Sequence, residues 1–379
     1  MKKTLLAGMA AASLLTGGAI VPALATTGES TPVQQSLDGL VRDEEFPAAL
    51  ATTGIGDQAR SYVAGTAELG GRTPPPLDGR VRAGSNTKAF VSVVVLQLVA
   101  EGKVGLDAPI EEHLPGLVRG EGVDGRQITV RQLLQHTSGV PNYTAYLGVG
   151  DLGELRDRYL QPRELLDIAL AHPASFPPGE RWEYSNTNYV LAGLLIERVT
   201  GRPVSEQVTD RVIRPIGLRD TYWPGIGDRT VQGPHPRGYA ATADGRVVDA
   251  TEVDPGWAWA AGALISTNGD LNQFYRALLD GKLLPAEQLA QMRTTVPADL
   301  ADGTEYGLGL SKTPLSCGGE YWGHGGDIFG YETRGGVTDD GRSAGVAVTA
   351  LPGTFGEDDA EQNLRAVHAA VDTALCEGR

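Results

Sequence analysis

The sequence predicts a two-lobed α/β fold, in which an antiparallel sheet with flanking helices forms one lobe and an inserted block of helices forms the other. Three observations predict it. Short strand-like segments occur near both ends of the chain, amphipathic helical segments fill the region between them, and one helix near residue 90 is apolar on every side. A helix that is apolar all round is typical of a buried position between packed elements.

The first residues are predicted to be a secretory signal peptide, residues 1–25. Lys2 and Lys3 precede an apolar run that ends in Ala23-Leu24-Ala25, the small-x-small pattern at which such peptides are cut. No twin arginine and no cysteine stands beside the predicted cut, and no later apolar run is long enough to cross a bilayer. We therefore expect a protein that is secreted after cleavage near Ala25 and has no stable membrane anchor.

The α/β lobe is predicted over residues 26–91 and 230–379. Its first element is a hairpin, because "PAALATTGIG" and "ARSYVAGTAEL" are strand-like runs on either side of a break at Asp57. Beyond residue 230 we expect two helices, four short strands interrupted by glycine, and a closing helix. In order these are "TNGDLNQFYRALLDG", "PAEQLAQM", "YGLGLSK", "GGEYWGHGG", "YETRGGVT", "AGVAVTAL" and "DAEQNLRAVHAAVDTAL".

The all-α lobe is predicted over residues 92–229, and it continues from the helix that should be buried. That helix lies in "SNTKAFVSVVVLQLVAEG", which is apolar on all sides from Phe90 to Val99 and ends before Gly102. Three further helices are predicted in "ITVRQLLQH", with Thr129 as its N-cap, "PRELLDIALAH" and "NYVLAGLLIERVTG".

Charge and cysteine content restrict the function. The formal net charge is −15, which argues against binding to nucleic acid or to an anionic membrane surface. Cys317 and Cys376 are the two cysteines of the chain. In an oxidising compartment an even pair most simply forms one disulfide, and neither cysteine has the CxxC or HxxxH spacing of a metal site.

A lipase-like nucleophile is the first hypothesis to test, since "WGHGGD" resembles a lipase oxyanion loop and "GRSAG" around Ser343 matches G-x-S-x-G. Asp359 and His368 follow in the order that such enzymes use. However, "TDDGRSAGVAVTAL" predicts a turn that enters a strand, whereas a nucleophile elbow joins a strand to a helix. The match is therefore interpreted as accidental.

Ser85 is the stronger candidate nucleophile. "GSNTK" contains Ser-x-x-Lys, which places Lys88 on the same helical face as Ser85 at the start of the buried helix. Burial and the helix N-terminus lower the pKa of a lysine, so that its neutral amine can act as a base. The alternative makes Ser85 an ordinary N-cap and Lys88 a surface residue, but a lysine that opens a fully apolar helix fits a surface poorly.

A second element, "EYSNTNY", places Tyr184 and Asn186 in a turn before another helix. Tyrosine can carry a proton to a leaving group when cations depress its pKa, and an asparagine amide can hold a substrate carbonyl. Tyr-x-Asn alone is a weak signal, and Asn186 could equally be a capping residue. With Ser-x-x-Lys upstream and His324 in "WGHGGD" downstream, the signal becomes stronger.

"SNTK", "YSN" and "HGG" in that order resemble the motifs of the penicillin-recognising serine hydrolases, above all the secreted actinomycete D-alanyl-D-alanine carboxypeptidases. Class C β-lactamases and family VIII esterases are similar. The resemblance covers nearly the whole chain, and Cys317 with Cys376 matches the disulfide of those carboxypeptidases. It implies a β-lactamase/transpeptidase-like fold with a five-stranded antiparallel sheet, a site in the cleft between the lobes, and no metal or organic cofactor.

The resemblance also implies roles for individual residues. Ser85 would be acylated, Lys88 would be its base, Tyr184 would relay the proton, Asn186 would bind the acyl-side amide, and His324 would open the third motif. The backbone N–H groups of Ser85 and Asp327 would form the oxyanion hole. Gly325, Gly326 and Asp327 would contact the substrate, and Trp257 would form a wall of the pocket, although a structural tryptophan fits there nearly as well.

The sequence departs from the carboxypeptidase pattern at the contacts that choose the substrate. The positions of two threonines and an arginine, which in those enzymes hold the substrate's free carboxylate, are here Gly325, Asp327 and Ser311. Asp327 would repel a carboxylate at about 4 Å by roughly 4 kcal/mol at an effective dielectric of about 20. A protonated His324 would offset part of that repulsion, but only near or below its normal pKa of about 6.5. Asp327 therefore favours substrates without a free carboxylate, or with an ammonium group.

Several functions remain open at this point. The resemblance implies a D-alanyl-D-alanine carboxypeptidase-type D-peptidase that acts through a Ser85 acyl-enzyme. The alternatives are an esterase, a D-aminopeptidase or D-amidase, or a β-lactamase on the same scaffold, and a non-catalytic penicillin-binding receptor. The expected ligands are a small peptide, amide or ester together with β-lactams, and the protein is expected to be a monomer.

Overall fold

The computed structural model describes residues 30–377, apart from residues 57, 149–151, 299, 301–302 and 357–359. The predicted signal peptide, residues 1–25, lies outside the described residues. The helices are α1 (Pro32–Arg42), α2 (Thr87–Ala100), α3 (Val130–Leu134), α4 (Leu152–Leu155), α5 (Pro162–Leu170), α6 (Thr187–Thr200), α7 (Val204–Val208), α8 (Trp259–Gly262), α9 (Asn268–Leu279), α10 (Ala286–Met292) and α11 (Ala360–Cys376). Among these residues, no helix is long and apolar enough to cross a membrane.

The strands are β1 (Ala48–Ile55), β2 (Gln58–Gly65), β3 (Val81–Arg82), β4 (Arg119–Gly120), β5 (Val123–Asp124), β6 (Tyr239–Ala241), β7 (Val247–Asp249), β8 (Ile265–Ser266), β9 (Val296–Pro297), β10 (Glu305–Tyr306), β11 (Ser311–Pro314), β12 (Glu320–Gly323), β13 (Gly326–Ile328), β14 (Tyr331–Thr338) and β15 (Arg342–Val348). β1 and β2 form the predicted N-terminal hairpin.

The main sheet is antiparallel and has the order β2-β1-β15-β14-β12-β11-β10-β9, with β13 also paired to β14. The predicted antiparallel sheet with flanking helices is present. The sheet is wider than the five strands that were expected, because four strands of two to four residues, β9, β10, β11 and β13, extend it within the described residues. Helix α9 packs on one face, and α1 and α11 pack on the other. β1 is therefore buried on both faces, which explains its unbroken apolar start, "AALA".

The sequence analysis missed helix α1. Its N-cap, Thr31, accepts a hydrogen bond from the backbone N–H of Gln34, and Pro32 occupies the first turn. Val33, Leu37 and Leu40 lie on its buried face against the sheet. A threonine before a proline, followed by apolar residues at helical spacing, is a helix-start signal that could have found it.

The disulfide between Cys317 and Cys376 is present and confirms that prediction, with a Cα–Cα distance of 5.9 Å. It joins the turn after β11 to the last residue of α11. The turn between β11 and β12 is thereby tied to the closing helix. Strand β12 leads directly into "HGGD".

The predicted buried helix, α2, packs against α6, α7, α8 and α10. Its side chains from Thr87 to Leu96 are all buried, Lys88 included. The helix crosses the predicted lobe boundary at residues 91–92 without interruption, and the helical block also contains the small β4–β5 hairpin. The division into two lobes at those residues stays a prediction. A polar group at the start of such a helix is held away from water, and burial of this kind shifts the pKa of an ionisable side chain.

Candidate active site

Ser85 lies in a 3₁₀ turn, Gly84–Asn86, directly before α2. The Asn86 amide holds this turn in place: Nδ2 donates to the carbonyl of Ala83 at 3.0 Å and to Thr333 Oγ1 at 2.9 Å. Tyr275 donates its hydroxyl to Asn86 Oδ1 at 2.7 Å. Asn86 is thus the residue that joins the nucleophile turn to the sheet, and Ser85 is not the N-cap of α2.

The Lys88 ammonium position is fully buried and lies against three oxygens. Nζ is 2.8 Å from Ser85 Oγ, 2.8 Å from Asn186 Oδ1 and 2.7 Å from the carbonyl oxygen of Ala261. Burial lowers the pKa of Lys88 well below its usual value, and the distant charge of Asp327 opposes this only in part. A neutral amine has two N–H bonds and a lone pair. Because the two carbonyl-type oxygens can only accept, they take both N–H bonds, and the lone pair faces the Ser85 hydroxyl.

Tyr184 completes the catalytic group. Its hydroxyl is hydrogen-bonded to Ser85, and its ring centroid lies 4.9 Å from Lys88 Nζ. Burial raises the pKa of Tyr184, which contradicts the expectation that cations depress it. The cost of burying a phenolate outweighs the opposing effects of the Ser85 hydrogen bond and of the Arg334 charge. Tyr184 is therefore a protonated donor at neutral pH, and Lys88 is the group able to accept a proton.

His136 packs against the turn that contains Tyr184. Its Nδ1 accepts from the backbone N–H of Ser185 at 3.2 Å, and its ring centroid is 4.3 Å from that of Tyr184. Burial lowers the pKa of His136 well below its usual value, with the nearby Lys88 as a second cause. His136 is thus a buried residue that packs against Tyr184 and holds the backbone of its turn.

The third motif runs along β12 and β13, opposite the nucleophile turn. A side chain on Gly326 would overlap the carbonyl oxygen of Ala83, and a Cβ on Gly84 would come 3.0 Å from the backbone nitrogen of Asp327. These two glycines therefore let the strand approach the turn closely. The backbone nitrogen of Asp327 borders the Ser85 turn, as the predicted oxyanion hole requires.

His324 is neutral, so it supplies no positive charge. Its Nδ1–H donates to the carbonyl of Gly325 at 2.5 Å, and Tyr306 donates its hydroxyl to Nε2 at 2.9 Å. Burial lowers the pKa of His324 to about 3. The pH range in which a protonated His324 could offset the charge of Asp327, expected near or below 6.5, is therefore shifted down by burial. Both ring nitrogens are occupied, which makes His324 an anchor for the strand.

Arg334 is the functional residue that the sequence analysis missed. It lies on β14, and its Nη1 is 2.7 Å from Asp327 Oδ1 while its Nη2 is 3.0 Å from Glu332 Oε1. The register that pairs Asp327 with Glu332 and Gly326 with Thr333 extends to place Arg334 opposite Gly325. The β13–β14 hairpin is closed by the two residues between Ile328 and Tyr331. A hairpin predicted there would have given this register and so the position of Arg334.

A cavity of about 400 Å³ brings these groups together. One end contains the nucleophile and its partners, and the other reaches helix α11. Its lining residues are Ser85, Tyr184, Asn186, Leu300, Thr304, Tyr306, Ser311, Thr313, Tyr321, His324, Gly325, Asp327, Arg334, Gly335, Leu364 and His368. Lys312 is not among them, since it forms an ion pair with Glu305 at 2.7 Å.

A family model described as Beta-lactamase matches residues 33–370. The chain belongs to the beta-lactamase family. Among curated relatives, esterase EstB of Burkholderia gladioli is 38% identical over 166 residues, a match that spans 41% of this chain and 41% of the esterase. The curated relatives matched first are therefore covered over less than half of their own length.

Two solved structures are similar over almost their whole length. A D-stereospecific amidohydrolase from a Streptomyces species has a TM-score of 0.80 and 42% identity, over 88% of this chain and 97% of that one. The D-amino acid amidase of Ochrobactrum anthropi SV3 has a TM-score of 0.77 and 27% identity, over 90% and 98% of the two chains. These similarities make the protein a serine hydrolase of the beta-lactamase family.

One further prediction about this beta-lactamase-family site needs correction. Trp257 does not line the cavity, because its ring packs against Phe329, with centroids 5.3 Å apart, in a separate part of the core. His368 does line the cavity, and its Nε2 accepts a hydrogen bond from Arg334 Nε at 3.3 Å. This contact was not predicted, because it depends on how α11 docks against the sheet.

The lipase-like alternative has no structural support. Ser343 is buried within β15, where its hydroxyl donates to the carbonyl of Gly54 at 3.3 Å. It is not on a strand-to-helix turn. Asp359, the acid of that hypothesis, lies outside the described residues. Among the residues that the structure describes, no group of histidine, cysteine, aspartate or glutamate side chains is arranged to hold a metal ion.

Proposed function

We propose that this serine hydrolase is a D-stereospecific amidohydrolase that cleaves amides, esters or short peptides whose acyl part is a D-amino acid. Ser85 would attack the carbonyl carbon while Lys88 Nζ accepts the hydroxyl proton. The backbone N–H groups of Ser85 and Asp327 would stabilise the oxyanion. Tyr184 would deliver a proton to the leaving amine or alcohol, and water would then release the acid from the acyl-enzyme.

The contact between Lys88 and Ser85 supports the chemical step. An amine that donates both its hydrogens elsewhere and keeps its lone pair 2.8 Å from the Ser85 hydroxyl is positioned as a general base. Because burial lowers the pKa of Lys88, it favours the neutral, basic form of the amine over the ammonium. Such an arrangement favours an enzyme over a receptor that is only acylated.

The observation that carries the substrate class is the Asp327 carboxylate at the mouth of the cavity. Its side chain is 57% exposed, and the guanidinium that lines the same cavity, Arg334, is already paired with it. A substrate carboxylate placed there would meet a negative charge with no cation left to bind it. For an unpaired carboxylate at about 4 Å the repulsion would reach roughly 4 kcal/mol at an effective dielectric of about 20, and both exposure to solvent and the pairing with Arg334 reduce it.

The similar structures support the same class. The Streptomyces protein is named for D-stereospecific amide hydrolysis, and the Ochrobactrum protein for action on D-amino acid amides. Neither name describes a carboxypeptidase. A D-amino acid amide has an ammonium group and no free carboxylate, which are the two properties that Asp327 favours. We also propose that the protein acts outside the cell and as a monomer, on the basis of its predicted signal peptide and the family resemblance.

The test compares matched substrates with purified protein that lacks residues 1–25. D-alanine amide, D-phenylalanine amide and their L-enantiomers measure stereospecificity and amidase activity. N-acetyl-D-Ala-D-Ala and its carboxamide, which differ only in the terminal charge, measure tolerance of a carboxylate. We expect turnover of the D-amides, at least about tenfold slower turnover of the L-amides, and a preference for the carboxamide. A clear preference for the free acid would overturn the proposal.

The D-alanyl-D-alanine carboxypeptidase is the second candidate, and one observation favours it. Arg334 places a guanidinium in the wall of the cavity, and arginine is suited to binding carboxylates through paired hydrogen bonds. In this structure, however, the guanidinium is occupied by Asp327 and Glu332. The same comparison of acid and carboxamide decides between the two candidates.

A further inference from the structure

The unusual feature of the site is a largely buried arginine in the cavity wall that is paired with an exposed carboxylate. The Arg334 side chain is 11% exposed, yet it contributes to the cavity wall. Its nearest acceptor at the cavity is Asp327 Oδ1, at 2.7 Å, and a second Nη1 contact goes to the carbonyl of Thr333 at 2.9 Å. The guanidinium is therefore fixed in position behind the residue that faces the substrate.

Gly325 provides the room for Arg334. A Cβ on Gly325 would lie 2.9 Å from Arg334 Nη1 and 3.1 Å from Arg334 Cδ. Contacts under 3.0 Å are not made by real Cβ atoms, so any side chain at position 325 would displace the arginine. A glycine at the second position of "HGG" therefore leaves the space that the Arg334 guanidinium occupies.

The charges around Arg334 come from two carboxylates with different surroundings. Glu332 is fully buried, and its Oε1 is 3.0 Å from Arg334 Nη2. Burial raises the pKa of Glu332 and so favours its protonated form, with Arg334 opposing and Asp327 adding to that effect. Asp327 is more than half exposed and stays available to solvent and substrate. Asp327 is thus the carboxylate that cancels the charge of Arg334 at the cavity surface.

We infer that Arg334 is a specificity-determining residue, a carboxylate receptor that Asp327 masks. The masked pair excludes substrates with a free carboxylate, and removal of the Asp327 charge alone would expose the guanidinium to them. The inference rests on the proposed function in that it explains how the site rejects a carboxylate. It differs from simple repulsion by Asp327, because it requires Arg334 to be the group that binds the carboxylate once Asp327 is neutral.

The experiment measures kcat/KM for N-acetyl-D-Ala-D-Ala and for its carboxamide, and reports their ratio. A ratio cancels general damage to catalysis, which matters because the backbone of Asp327 borders the oxyanion hole. The variants are Asp327→Asn, Arg334→Gln and the double variant. The matched control is Asp340→Asn: Asp340 pairs with Arg342 at 3.0 Å, with side-chain exposures of 54% and 14%, away from the cavity.

We expect the acid-to-amide ratio to rise by about 10- to 100-fold in Asp327→Asn, since a tenfold change corresponds to about one paired charge interaction at a partly exposed site. The rise should be absent in the double variant and in Asp340→Asn. If Asp327→Asn leaves the ratio within about threefold of wild type, or if the double variant keeps the rise, Arg334 is not the receptor and the inference fails.

The outcome is separable from the proposed function. Should the wild-type protein already prefer the free acid, the proposed function fails, and the change of ratio between Asp327→Asn and the double variant still tests Arg334. The single variant Arg334→Gln gives a further test of the same acid-to-amide ratio. It leaves Asp327 unpaired, so the ratio should fall below that of wild type, and a rise in this variant would contradict the inference.

Discussion

The two walls of the cavity hold their polar groups by different means. On one wall, Ser85 and Tyr184 are joined by hydrogen bonds to each other and to Lys88 behind them, and burial favours the neutral form of the lysine. On the other wall, Asp327 and Arg334 form an ion pair at the solvent boundary. The first arrangement depends on desolvation and sets the pKa of the base. The second depends on charge and selects what enters, so catalysis and substrate choice should respond to different substitutions.

The largest effect is expected at the neutral wall. Lys88→Arg keeps a long cationic side chain but cannot supply a neutral amine, because a guanidinium does not lose its proton in proteins. We expect kcat/KM for a p-nitrophenyl ester to fall by roughly 10⁴-fold, close to the value for Ser85→Ala. Intact-mass measurement should also show loss of acylation by penicillin in Ser85→Ala. Ester turnover by Lys88→Arg within about tenfold of wild type would contradict a lysine base.

Tyr184→Phe should separate proton delivery from nucleophilic attack. Removal of the hydroxyl leaves the Lys88–Ser85 contact in place but takes away the donor that faces the leaving group. For a D-amino acid amide, whose leaving amine needs a proton, we expect kcat to fall by roughly 10²-fold. For a p-nitrophenyl ester, whose leaving group departs as an anion, the loss should be much smaller. Equal losses for both substrates would show that Tyr184 has no special part in leaving-group protonation.

The buried His324 should also make the free energy of unfolding depend on pH. The pKa of His324 is about 3 in the folded protein and about 6.5 when unfolded. The unfolded state therefore binds more protons below pH 6.5, and folding stability falls as the pH falls from 6.5 towards 3.

We expect His324 to contribute a loss of about 2 kcal/mol between pH 7 and pH 4.5, which urea unfolding at the two pH values can measure. His324→Gln should show a smaller loss than wild type, whereas His235→Gln, a histidine away from the cavity, should match wild type. A pH dependence in His324→Gln as steep as in wild type would rule out this explanation.

The smallest effect is expected from Gly325→Thr, which adds volume beside the Asp327–Arg334 ion pair without changing either charge. Gly325→Thr restores the side chain of the carboxypeptidase pattern but collides with Arg334. We expect a loss of about 1–3 kcal/mol in stability from overpacking and about a tenfold change in the acid-to-amide ratio. Gly225→Thr is the control, because a Cβ at Gly225 meets no atom within 4 Å. No change in the ratio would show that Gly325 and Arg334 are independent.

Much of the fold could be predicted from the sequence where the signal is local. The N-terminal hairpin, the all-round apolar helix α2 and the cysteine pair each depend on a short stretch or a count. Helix α1 was missed although its Thr-Pro start and apolar spacing are also local signals. The number of strands could not be predicted, since β9, β10 and β13 are too short to show a two-residue period.

The candidate site divides in the same way. Ser85 and Lys88 were found because they are three residues apart on one helix, and Tyr184 and Asn186 because they share a turn. Arg334 and His368 were missed because their relation to Asp327 depends on strand register and on the docking of α11. Trp257 was placed on the cavity wall by resemblance, but packing against Phe329 keeps it in the core.

The amino-acid sequence by itself determined the order of the reactive groups and the presence of a buried lysine, because helical spacing and an apolar surrounding follow directly from the chain. Only the tertiary structure decided the charge state of the site. Whether His324 carries a proton, whether Tyr184 is acidic and whether Asp327 stands alone all depend on burial and on partners brought together from distant segments. The segment "WGHGGD" therefore indicates where the substrate-selecting contacts lie. Arg334, across the β13–β14 hairpin, determines which charge those contacts present to the substrate.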